Sequence, residues 1–157
     1  MTFLRALMLL ALIVWVGGII FFAFVLAPTV FHVLPTVELA GNVVSRSLTA
    51  LHWMGMISGA VFLAASLLYG QSRFARPRPF ALVNLLVVLM LALTLISQFA
   101  ITPRMRALRS QMGAITVARD DARRMEFDRL HAWSTRAEGG VLFLGLAVVL
   151  LTARRFE

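Results

Sequence analysis

Cysteine is absent from the chain, which excludes disulfides, thiolate metal sites and haem attached through a C-x-x-C-H motif. Lysine is absent too, so all 15 basic residues are arginine. Charge of either sign is scarce, at 14% of residues, where soluble domains carry roughly a quarter. The chain also lacks H-E-x-x-H, G-x-S-x-G and paired-carboxylate patterns, and Gly17-Gly18, inside an apolar run, is no phosphate loop. Nothing therefore points to an enzyme.

What the chain does have is apolar length. Hydrophobic residues make up 61% of its 157 positions. A helix of about 20 apolar residues crosses the ~30 Å hydrocarbon layer of a bilayer. Hydropathy predicts four spans, at about 4–31, 47–69, 80–102 and 132–153. They fill the chain, so a single all-α membrane domain is expected, a four-helix bundle in up-down-up-down order. Ala6–Leu26, behind Arg5, looks like a signal peptide but is longer than the ~7–15 apolar residues such peptides use, so it is read as a span. The arginines flank apolar runs, which marks them as membrane-anchoring charge and argues against a nucleic-acid partner. Arg5 precedes the first span and no arginine follows it until Arg46, so both termini are placed in the cytoplasm, the chain sitting in a bacterial inner membrane.

Local signals set the helix ends. Pro28 and Pro35 kink and close the first helix; Thr36 caps the second, with Glu38 in its first turn. Gly55 and Gly59 form a G-x-x-x-G pair that, like Gly17 and Gly18, allows close helix packing, either inside the bundle or as a homo-oligomer face. Arg73, Arg76 and Arg78 form a basic turn with two prolines. Pro103 is expected to bend the third helix, sending Arg104, Arg106 and Arg109 along the interface as far as Gly113. An amphipathic interfacial segment begins at about Val117, carries the i,i+4 pairs Asp120–Arg124 and Arg124–Asp128, and runs into the fourth span.

Up-and-down order gathers the polar residues at one end. His32, His52, His131, Gln98, Arg104, Arg136 and Glu138 all fall there, while the opposite half carries only Asn84. Ionisable groups inside a membrane need a partner or a wet cavity and are candidate functional residues for that reason. Arg136 is two positions from Glu138, on another helix face, so Glu138 needs a partner from a different helix, for which Arg104 is available. His32, His52 and His131 also admit haem b or copper, with Met56 one turn from His52 as a soft thioether ligand. The default expectation is no cofactor.

Four segments resemble the transmembrane protein 205 family and its bacterial relatives of unknown function. They are W-V-G-G-I-I-F-F-A-F-V-L-A-P-T-V-F-H-V-L-P (Trp15 to Pro35), Ala40-Gly41, P-R-M-R-A-L-R (Pro103 to Arg109) and F-D-R-L-H-A-W-S (Phe127 to Ser134). The resemblance implies a four-span bundle and no particular reaction. It places Arg104 and His131 on family motifs, and its distant similarity to copper-resistance-type four-helix membrane proteins adds to the haem or metal alternative. Glu138 stands where that family suggests a small amide, and Arg136 where it suggests an apolar residue.

Three functions fit these residues. The preferred one is a non-enzymatic accessory subunit packing against other membrane protein subunits in the lipid bilayer. The alternatives are a haem- or metal-binding bundle built on His32, His52 or His131, and a small proton-linked transporter built on Glu138.

Overall fold

The computed structural model describes residues 2–74, 81–112 and 121–154. These residues form four helical rods. The first is helix Thr2–Phe21, a π-turn at Phe22–Leu26 and helix Ala27–Val33; the second is Val37–Phe74. The third is helix Leu82–Ile96, a π-turn at Ser97–Ile101 and helix Thr102–Met112; the fourth is Ala122–Arg154. Each rod is long and apolar enough to cross a membrane. The protein is an all-α integral membrane bundle. The basic turn at Arg76, Arg78 and Pro79, the break at Gly113, the start near Val117 and the Asp120–Arg124 pair lie outside the described residues. Arg124 does pair with Asp128, at 3.2 Å.

Local chemistry sets the rod ends. Leu34 is extended (φ −80°, ψ 141°), because the ring of a following proline disfavours the helical region. The Leu39 N–H donates to Thr36 Oγ1 at 3.2 Å, satisfying one of the amides that a helix start leaves open. Pro28 and Pro103 each come two residues after a π-turn. Proline lacks an N–H and its ring crowds the carbonyl four residues back. The wider π-turn absorbs both effects, so neither rod ends there. Pro103 was expected to divert the chain along the interface; instead the third rod continues through it to Met112 and packs on the fourth.

The first rod packs chiefly on the second and the third on the fourth; second-to-third and first-to-fourth contacts close the bundle. Met8, Leu12, Trp15 and Ile19 form the inner stripe of the first rod and meet Phe62, Val87, Met90, Val141 and Val148 in the core. A Cβ on Gly55 would stand 2.4 Å from Trp15 Nε1, and one on Gly59 2.7 Å from Trp15 Cζ3. The G-x-x-x-G notch is therefore the seat of Trp15 and is filled within the chain, so it is not open to a second copy. Gly18 faces Met54 and Leu51, whereas Gly17 has nothing within 4 Å.

Rod lengths locate a polar end. The second rod has 38 residues and the fourth 33, or about 57 and 50 Å at 1.5 Å per residue, well beyond the ~30 Å apolar layer. The surplus carries the charge, at the start of the second rod, the end of the third and the start of the fourth. Up-and-down order brings these three segments together.

At the fourth rod's entrance, Asp121 Oδ1 accepts from the Arg123 N–H at 2.8 Å, and the Arg123 guanidinium donates to both carboxyl oxygens. These bonds hold the Asp121 carboxyl down at about 2, below its ordinary 3.8. A lowered folded-state value means the contact is complete above pH 3.8 and is lost as pH falls through about 2. Acidification across that window should deprotect the Arg123 amide in hydrogen exchange, and Asp121→Asn should flatten the profile. An unchanged acid profile in the variant would remove Asp121 as its cause.

Candidate functional site

The three rods that form the polar end also bring three polar side chains together inside the apolar layer. His52 lies 15 residues from the start of the second rod, Gln98 14 from the end of the third and Glu138 16 from the start of the fourth. At 1.5 Å per residue these positions are about 22, 21 and 24 Å from the rod ends, which is one level. At that level the three side chains touch. His52 Nδ1 is 2.8 Å from Gln98 Oε1, and His52 Nε2 is 2.6 Å from Glu138 Oε1. His52 is 1% exposed and the Glu138 side chain 16%, so the imidazole is sealed while one edge of the carboxylate is within reach of the outside. Gln98 sits within the π-turn of the third rod, a feature common at functional sites.

Proton placement is constrained by these partners. The Gln98 amide oxygen only accepts, so Nδ1 carries a proton and donates. The Nε2···Oε1 contact then holds one further proton, on the imidazole or on the carboxyl. Either arrangement, imidazolium with carboxylate or neutral imidazole with carboxylic acid, is net neutral. Neutrality allows the pair to sit in a low-dielectric layer, where an isolated charge costs several kcal/mol.

The remaining sequence-derived residues do not join this cluster. Arg104, the expected partner of Glu138, pairs through its Nε with Glu126 Oε1. It lies six residues beyond Gln98, about 9 Å farther toward the polar end. Arg136 is exposed, with its guanidinium 5.5 Å from the Trp133 ring centroid, a snorkelling cation over an interfacial aromatic. His131 is exposed and parallel to the Phe127 ring, 6.3 Å between centroids. Thr135 Oγ1 donates to the His131 carbonyl. His32 is exposed near the end of the first rod.

Haem or copper does not fit His52 as it is bonded here. Both His52 nitrogens are engaged in hydrogen bonds, to Gln98 and Glu138, so neither is open to a metal. Among the described residues no group of three or more His, Cys, Asp or Glu gathers.

Three polar contacts escaped the sequence. The opposite half, where Asn84 alone had stood out, holds a second cluster, in which Arg5 donates to Tyr69 Oη at 2.8 and 3.2 Å and Ser66 Oγ donates to Asn84 Oδ1 at 2.8 Å. Lone hydroxyls in apolar runs gave no signal of pairing. At the polar end, Arg109 Nη1 donates to the Gly41 carbonyl at 2.7 Å, and its guanidinium lies 5.3 Å from the Phe127 ring centroid. Three of the motif segments, at Ala40-Gly41, Pro103–Arg109 and Phe127–Ser134, thus converge on one arginine. The close approach needs Gly41, whose Cβ would stand 3.0 Å from the guanidinium carbon.

The model of one protein family, described as a domain of unknown function (DUF4149), matches residues 10–114, about two thirds of the chain. The chain belongs to this family. The DUF4149 match takes in His52, Gln98, Gly41 and Arg109 and stops before the fourth rod, so the bond to Glu138 ties the matched region to a helix outside it. Comparison with curated proteins and with solved structures gives no match.

Proposed function

We propose that this DUF4149 protein is a non-enzymatic, proton-linked membrane transporter in which the His52–Glu138 pair is the proton site. The observation that carries this reading is the 2.6 Å bond between His52 Nε2 and Glu138 Oε1, sealed on the histidine side and reachable on the glutamate side. Ionisable pairs inside membranes mark proton and ion pathways. The pair rests neutral, and gaining or losing one proton leaves a net charge between the second and fourth rods. That charge weakens the contact between them, which couples protonation to helix packing. Ser97, next to Gln98, adds a buried hydroxyl with no hydrogen-bond partner among the described residues. The accessory-subunit reading rests on an apolar exterior, small-residue stripes and an amphipathic segment; lipid accounts for the exterior, and Trp15 fills the Gly55–Gly59 notch. The likeness to the transmembrane protein 205 family, resting on motif order, is compatible with either reading.

Vesicles loaded with a pH-sensitive dye test the proposal. Under an inside-negative potassium diffusion potential, vesicles holding the wild-type protein should acidify faster than lipid alone. Glu138→Gln should return the rate to the lipid baseline, and His131→Ala should leave it unchanged. Wild-type vesicles no faster than bare lipid, or a fully active Glu138→Gln variant, would overturn the reading.

A further inference from the structure

A half-open cleft of about 740 Å³ separates the start of the second rod from the end of the third. Asn42, Ser45, Arg46, Arg106, Arg109 and Ser110 line it, together with Glu38. Three guanidinium groups against one carboxylate leave the lining with a net positive charge of two.

Two of these cations are already positioned. Arg109 is fixed by the Gly41 carbonyl and the Phe127 ring. Arg106 donates to Ser45 Oγ at 3.4 Å and to Thr49 Oγ1. Arg46 is exposed at the cleft and makes no hydrogen bond or ion pair among the described residues. A guanidinium has five N–H donors, and the bond to Gly41 occupies one of those on Arg109. The cleft therefore combines fixed, under-used donors with a free cation, an arrangement suited to the several oxygens of a phosphate. Its volume lies within the ~300–1,000 Å³ typical of small-molecule sites.

The level of the cleft defines the ligand further. Arg46 lies six residues before His52, about 9 Å toward the polar end, where the apolar layer gives way to charge. Basic pockets between membrane helices at this level hold anionic headgroups. We infer that the cleft binds a phosphate-bearing anion, supplied by a lipid headgroup or by a soluble phosphate. This inference is independent of the His52–Glu138 reading.

Full-length protein in neutral detergent tests it, by native mass spectrometry for retained lipid and by thermal stabilisation on titration. The probes are phosphatidylglycerol, zwitterionic phosphatidylcholine and inorganic phosphate. Phosphatidylglycerol should be retained in preference to phosphatidylcholine, and the double variant Arg46→Gln, Arg106→Gln should bind it about 30-fold more weakly. Arg129→Gln, an exposed charge on the fourth rod, controls for bulk charge and should change nothing. Stabilisation by inorganic phosphate alone, lost in the double variant, supports the site with a soluble ligand; retention of the anionic lipid alone supports it with a headgroup. Equal retention of the two lipids with no phosphate effect, or binding unchanged in the double variant, would overturn the inference. Retained helicity and thermal unfolding of the ligand-free double variant establish that it is folded.

Discussion

Glu138→Leu should lower the stability of the bundle by about 3 kcal/mol, the largest effect expected from any single change at the site, because it leaves a buried imidazole without its ionic partner. His52 is 1% exposed, so water cannot replace the lost carboxylate. In a chain of this length that loss corresponds to a fall in Tm of about 10 °C. Glu138→Gln should be much milder, since with the proton on Nδ1 the new amide N–H can donate to the Nε2 lone pair. The decisive measurement is a double-mutant cycle in detergent with His52→Leu, Glu138→Leu and both together. Breaking a buried pair on one side is far worse than replacing both partners by apolar groups. The double variant should therefore be more stable than either single one. Strictly additive losses would show that the two side chains are not coupled. The same cycle bears on function: a stable double variant that carries no proton flux would separate the proton site from its role in packing.

The next largest effect belongs to the seat of Trp15. Gly55→Ala should cost about 2 kcal/mol, or roughly 5 °C in Tm, because the added methyl meets a rigid ring. Three indole atoms stand 2.4, 2.8 and 2.9 Å from that Cβ, and Trp15 is buried. The ring cannot flex as a methionine end can, so the first rod itself has to retreat. Trp15→Phe should rescue Gly55→Ala in part, by removing the five-membered ring whose Nε1 makes the closest approach. Gly17→Ala is the matched control, since nothing lies within 4 Å of it, and its Tm should be unchanged. A Gly55→Ala variant as stable as Gly17→Ala would mean that the indole does not occupy the notch.

These two sites differ in how far the chain announced them. Gly55 and Gly59 are four residues apart on one rod, a spacing that already reads as a packing notch; only the identity of its occupant was missing. Glu138 stood out because a carboxylate in an apolar run demands a partner. Which partner was not legible. Arg104 offered the obvious opposite charge, yet the bond goes to His52, 86 positions earlier, and Arg104 turns to Glu126. Gln98 was recognised as polar but not as the group that fixes the imidazole. The Arg5–Tyr69 and Ser66–Asn84 contacts at the opposite end left no pattern, because hydroxyls and amides are ordinary in membrane helices until two of them face each other.

The sequence by itself determined much of what depends on neighbours along the chain, though not the π-turns before Pro28 and Pro103. It placed four apolar runs, the cap at Thr36, the stop at Pro35 and the crowding of charge toward one end. Hydropathy and dihedral preference are local quantities and can be read in order. The tertiary structure alone decided the rotational phase of each rod and, through it, the partners each side chain meets. A π-turn inserts an extra residue into a turn and rotates the rest of the helix by roughly 100°. With such turns at Phe22–Leu26 and Ser97–Ile101, helical periodicity cannot be carried through the first and third rods. Gln98 lies within the second of these turns, so its meeting with His52 depends on packing between rods, which no single helix encodes.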